Sequence, residues 1–374
     1  MTDIHTADLT TTGPDRPELH QAVQAFVDAG FAGIQLRVHD ERGEWVGSAG
    51  VRELGGSDRP STDGRFWAGS VVKTFTATAV LQLVAEERLA LDAPVADHLP
   101  ELAGLDPRVT VRMLLQHTSG LFNYTGEYFE DGTIVPGIPA TGKEWVDNRL
   151  RTYEPQELIR LALSKPARFE PGTGFGYSNT NYTLAALLIE AVAGRSYGEE
   201  MRRRVLEPLG LRDTVLAGAV TDLPEPHAHG YYRYQDGEEW KVVDVSRQNL
   251  TMLLGAGGLI STTRDLHTFF AALNSGTLLP PALLAEMRKP YGELGYGLGL
   301  FVQDLGPDAG TVYHHNGGAP GGYGALMYST PDGSRTLTAG MTTGDADINP
   351  AEVFPQALAR LVEDVFGASA RRAR

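Results

Sequence analysis

The run Trp67-Ala68-Gly69-Ser70-Val71-Val72-Lys73 sets a serine hydroxyl and a lysine amine three residues apart. Val72, Phe75, Ala79 and Leu83 then recur at helical spacing, so the run opens a helix with Ser70 and Lys73 on one face. A serine hydroxyl is a poor nucleophile until a neighbour takes its proton. A lysine partly desolvated at a helix N-terminus, where the dipole disfavours the ammonium, can be that neighbour. Together they suit an acyl-serine intermediate. Taken alone, the same spacing also fits a capping serine followed by a solvated lysine.

Two further segments carry chemistry. Gly176-Tyr177-Ser178-Asn179 stands just ahead of a helical pattern over 181–193. A tyrosine near a lysine can act as phenolate or proton relay, and an asparagine can orient a substrate amide. Tyr313-His314-His315-Asn316-Gly317-Gly318 ends a strand-like run, and its glycines let the backbone approach a ligand and aim an N–H at it. Adjacent histidines on a strand point to opposite faces, which argues against a shared metal. Alone, each segment also reads as structure: a packed tyrosine before a helix cap, and a glycine-rich turn.

In combination and in this order, Ser-x-x-Lys, Tyr-x-Asn and a strand ending His-x-Gly resemble the penicillin-recognising serine enzymes. These include β-lactamases, penicillin-binding proteins and related esterases. Leu114–Leu121, Glu170-Pro171-Gly172, Leu206–Leu211 and Gly257–Thr262 also resemble the class C-type branch, so the likeness covers roughly residues 18 to 366. Within it the chain is most similar to the secreted D-alanyl-D-alanine carboxypeptidases of actinomycetes.

The resemblance implies that Ser70 is acylated and that Lys73 and Tyr177 share the proton transfers. Asn179 would bind the acyl side chain, His315 would stand near the leaving group, and the N–H groups of Ser70 and Gly318 would form the oxyanion hole. Where those carboxypeptidases hold a free carboxylate with an arginine and hydroxyls, this chain has Phe301, Asn316 and Gly318, which by position are expected to bind substrate together with Asn179. Peptidoglycan trimming is thereby put in doubt.

These residues need a scaffold. Helical spacing over 18–28 precedes strand-like runs at 33–38 and 45–51. Helical patterns follow at 70–89, 110–116, 155–164, 181–193 and 197–205, joined by Gly- and Pro-rich loops. Strand character returns at 297–302, 311–314, 324–328 and 336–341, and a helix over 350–365 follows. The expected fold is α/β: an antiparallel sheet flanked by helices, with a large all-helical insertion. The expected division is a disordered N-terminus over 1–17, a sheet domain from 18–75 and 265–366, a helical domain over 76–264, and a tail over 367–374.

A net charge of −15 over 374 residues disfavours nucleic acid and anionic membranes as partners. The chain has no cysteine, which removes disulfides, thiolate metal ligands and thiol nucleophiles. No signal-like or membrane-spanning run is visible, so a cytoplasmic protein is expected. No cofactor and no metal is expected, and a small molecule or peptide is the expected partner. The Gly255–Gly258 stretch lacks a full dinucleotide fingerprint, His227 and His229 lack a third ligand, and His117 reads as securing a turn.

The leading expectation is a serine hydrolase or acyltransferase acting on an ester, thioester or peptide-like amide. One alternative is an amide-forming acyltransferase or peptide cyclase. Another is a non-catalytic ligand sensor or scaffold.

Overall fold

In the computed structural model, which describes residues 11–129, 132–218 and 220–367, the chain's first strands pair with its last. Phe31–Asp40 lies between Gly43–Gly50 and Thr336–Thr343, and the sheet continues through Tyr323–Ser329 and Thr311–His314 to Phe301–Asp304. Every pairing is antiparallel, with Ile34 opposite both Ala49 and Met341. The short strand Gly317–Ala319 also pairs with Tyr323–Ser329, setting Gly318 opposite Gly324. Side-chain alternation divides the layers. Ala325 and Met327 face the helices of the middle segment, whereas Leu326 and Tyr328 face the helices Pro17–Asp28 and Pro350–Phe366.

The helix Val72–Ala85 is buried on nearly all sides, as expected for an element running through a core rather than over one. Its threonines would be costly there unless satisfied. Thr74 donates to Gly299 O at 2.7 Å, Thr78 to Thr74 O at 2.8 Å, and Thr76 to Gly255 O at 2.9 Å.

Several expectations change. The stretch 76–264 also holds short strands, Glu127–Tyr128 with Ile134–Val135 and the hairpin Tyr231–Asp236/Glu239–Asp244. The domain boundaries placed at 75/76 and 264/265 fall inside the helices Val72–Ala85 and Thr263–Asn274. The disordered N-terminus fails for residues 11–17. Thr12 exchanges backbone hydrogen bonds with Val46, and buried Arg16 pairs with Asp40 at 2.8 Å, which anchors the segment to the sheet. The remainder of that expectation, residues 1–10, and nearly all of the expected tail, 368–374, lie outside the described residues. Among the described residues no helix is long and apolar enough to cross a membrane.

Candidate active site

Ser70 sits in a single 3-10 turn, Gly69–Val71, that leads into the buried helix. Gly69 has φ +55°, and a Cβ there would collide with the backbone of Gly318. Gly317 likewise leaves no room for a Cβ against Ala68 O. These two glycines let the strand Gly317–Ala319 lie directly on the nucleophile turn.

Lys73 is fully buried. Its Nζ lies 3.1 Å from Ser70 Oγ, 2.9 Å from Asn179 Oδ1 and 2.6 Å from Ala256 O. No carboxylate is among these partners, and burial pushes the amine well below the ordinary lysine pKa. An uncharged amine has two N–H donors and one lone pair. With its hydrogens given to Asn179 Oδ1 and Ala256 O, the lone pair faces the Ser70 hydroxyl.

Tyr177 is hydrogen-bonded to Ser70 as well. Burial of its phenol raises its pKa, and a hydrogen bond with Ser70 offsets part of that, so the hydroxyl stays protonated. Lys73 Nζ lies 4.7 Å from the ring centroid. His117 holds this loop in place. Its carbonyl accepts from Gly176 N–H at 2.9 Å, and its Nδ1 accepts from Ser178 N–H at 3.2 Å and Asn181 Nδ2 at 3.0 Å. Two N–H donors on Nδ1 place the ring proton on Nε2, and burial keeps the ring neutral. His117 does this from φ +59°, a costly conformation for a residue with a side chain.

Asn179 is fixed at both ends of its amide. Its Oδ1 accepts from Lys73, and its Nδ2 donates to Thr125 Oγ1 at 3.3 Å. A cleft of about 340 Å³ opens here, bounded by Ser70, Thr125, Asn179, Met252, Leu253 and the turn from Gly318 to Gly321. Ser70, Lys73, Tyr177, Asn179 and Gly318 are thus brought together.

The remaining expected site residues are placed differently. His315 is 1% exposed, its Nε2 lies 3.1 Å from Tyr296 Oη and its Nδ1 2.7 Å from Asn316 O. Burial pushes its pKa down to about 3. A neutral ring with both nitrogens bonded to protein is not an acid for the leaving group, so the direct role expected of His315 is corrected to holding the strand. Asn316 is the next residue along, and alternation turns it away from the nucleophile. Its Nδ2 donates to Tyr328 Oη at 3.1 Å on the opposite face, so its expected substrate contact is withdrawn. Phe301 packs against Tyr296 and His314, at 4.6 and 5.1 Å between ring centroids, and does not line the cleft. Its substrate-binding role is withdrawn too.

Sequence reasoning missed Ala256, Thr125 and Tyr296. The glycine density around Ala256 was visible, but a backbone carbonyl acting as a lysine acceptor leaves no mark on residue type.

A nucleophile turn closed by a glycine strand, with a buried lysine beside it, is the setting of a serine hydrolase, and the chain belongs to the β-lactamase family, whose model matches residues 19–361. Among solved structures, it is similar to a D-stereospecific amidohydrolase from Streptomyces sp. The TM-score is 0.81 at 35% identity, covering 94% of this chain and 99% of that one. A D-amino acid amidase from Ochrobactrum anthropi SV3 gives 0.77 at 25% identity, covering 95% and 99%. In sequence, a penicillin-binding protein of Bacillus subtilis (strain 168) is 28% identical over 304 residues, which is 78% of this chain. The chain spans 63% of that relative's length.

Proposed function

We propose that the chain cleaves amides or esters of D-amino acid derivatives through an acyl-enzyme on Ser70. The observation that carries this is the Lys73 amine, buried without a carboxylate and 3.1 Å from Ser70 Oγ. The similarity to the Streptomyces amidohydrolase supports the D-configured substrate class.

Lys73 takes the hydroxyl proton as Ser70 Oγ bonds to the substrate carbonyl carbon. The N–H groups of Ser70 and Gly318 stabilise the oxyanion, an interaction typically worth about 10²–10³ in rate for one donor. Collapse breaks the C–N or C–O bond, and the leaving group takes a proton from the protonated Tyr177, which Lys73 restores. Water then repeats the cycle on the acyl-enzyme and releases the acid.

Intact-mass measurement with a fluorophosphonate tests the nucleophile: one adduct on the wild type and none on Ser70→Ala is expected. Equal labelling of the two sinks the proposal. Comparing N-acetyl-D- and N-acetyl-L-phenylalanine amide tests the chirality. Adding a D-amino acid as competing acceptor separates hydrolysis from the amide-forming alternative, which predicts a condensed product instead of the free acid.

A further inference from the structure

We infer that the site selects substrates uncharged on both sides of the scissile bond, so that neither a free α-ammonium nor a free terminal carboxylate is recognised. This rests on the acyl-enzyme reading and narrows it to N-capped esters and amides.

The inference follows from which polar groups remain available to a substrate. Among the described residues lining the cleft, none carries an ionisable side chain: the walls are Thr125, Thr141, Met252, Leu253 and the Gly318–Gly321 turn. The two basic groups behind that lining are already engaged. Lys73 has all three of its contacts filled by Ser70, Asn179 and Ala256. His315 gives both ring nitrogens to Tyr296 and Asn316 O.

The amides bring no charge. Asn179 bonds Lys73 and Thr125 and keeps one N–H, and Asn316 donates to Tyr328 on the far face. On the Thr125 loop, Glu127 is closed off, one oxygen accepting from Asn123 N–H at 2.9 Å and the other from Arg168 at 3.0 Å. A charged substrate end entering this cleft gives up hydration without gaining an ion pair, which is unfavourable. A capped end meets threonine hydroxyls, backbone and apolar wall, and gives up little.

Two substrate pairs test this. N-acetyl-D-phenylalanine methyl ester is compared with D-phenylalanine methyl ester at a pH where its amine is charged. N-acetyl-D-phenylalanyl-D-alanine amide is compared with the corresponding free acid. The neutral member of each pair is expected to show a kcat/KM at least about tenfold higher. Thr141, exposed on the cleft wall, then supplies a charge test: Thr141→Glu should shift the first ratio toward the free amine by about fivefold or more, and Thr141→Lys should shift it the other way.

Parity or preference for the charged member, with the Ser70 adduct still detected by mass, overturns the inference and leaves the acyl-enzyme reading intact. Ratios that both Thr141 variants leave unmoved, in proteins that still form the adduct, also overturn it. Absence of any Ser70 adduct overturns the acyl-enzyme reading itself.

Discussion

The helix Val72–Ala85 has a buried cation-forming side chain at each end, and the two are treated in opposite ways. Lys73 in its first turn has only neutral oxygen partners, and burial drives it toward the uncharged amine. Beyond its last turn, Glu86 meets Arg204, whose side chain is 2% exposed. Arg204 bonds Glu86 at 2.7 Å and fully buried Glu200 at 2.6 Å. Burial opposes the Arg204 charge, but the hydrogen bonds to Glu86 and Glu200 outweigh it, so its pKa rises. The two ends of one helix thus meet a buried amine deprived of counter-charge, the base proposed for Ser70, and a buried guanidinium supplied with it. A buried cation with carboxylates is a structural device; a buried amine without them is a reactive one.

The sharpest test of the reactive end is Ser70→Ala, which should lower kcat by about 10⁴ or more while thermal unfolding is unchanged. Activity above a few per cent of wild type would place the nucleophile elsewhere. Next, Lys73→Met should cost about 10²–10⁴ in kcat/KM. Its stability should hold or rise, because an apolar chain replaces a desolvated amine. A variant that loses stability and keeps activity would reverse the contrast.

At the other end, Arg204→Met removes the buried partner of Glu200 and leaves it to Arg203, 2.9 Å away. A loss of about 1–3 kcal/mol in urea unfolding is expected, with turnover per folded molecule retained. Unfolding as close to wild type as a surface substitution would show that the network braces nothing.

Acidification gives the smallest and most graded effect. The hydrogen bond from Arg203, with Arg204, lowers Glu200 from 4.5 to about 2, so its stabilisation is full above pH 4.5 and is lost as pH falls toward 2. His315 at about 3, against 6.5 when unfolded, adds a second loss: the unfolded chain takes up its proton first, and stability declines as pH falls from 6.5 toward 3. Melting temperature followed against pH should show both phases, with the upper one weakened in His315→Asn. For the same reason kcat/KM should show no inflection owed to His315 between about pH 5.5 and 7.5.

How much of this was legible in the sequence follows from the range over which each signal acts. Ser70 and Lys73 are one helical turn apart, so spacing alone placed them together. Tyr177 and Asn179 were legible as a motif, although their distance from Ser70 depends on His117, whose backbone strain no pattern of residue types announces. His315 was misread because its surroundings come from elsewhere in the chain: Tyr296 caps one ring nitrogen, and Phe301 closes over the pair. Asn316 was misread because the residues were taken together as a motif, whereas alternation sends neighbours to opposite faces. The central sheet was visible in its strand-like runs. The helix Thr263–Asn274 and the hairpin over 231–244 were not, because the first follows a short buried strand and the second is mostly polar and exposed.

Gly317 resting on Ala68 has a consequence for the order in which the molecule becomes chemically competent. The hydroxyl and its base are encoded early in the chain, and the strand completing the pocket comes nearly 250 residues later. That strand is itself held by Tyr323–Ser329, which pairs with Thr336–Thr343, which in turn pairs with Phe31–Asp40. Contacts of such long sequence separation form late and slowly, since a large loop must close before they are rewarded. A growing chain therefore holds Ser70 and Lys73 without the Gly318 N–H, the second donor of the proposed oxyanion hole. On the proposed acyl-enzyme reading, Ser70 gains that second donor only through the pairing that ties the two ends of the sheet together.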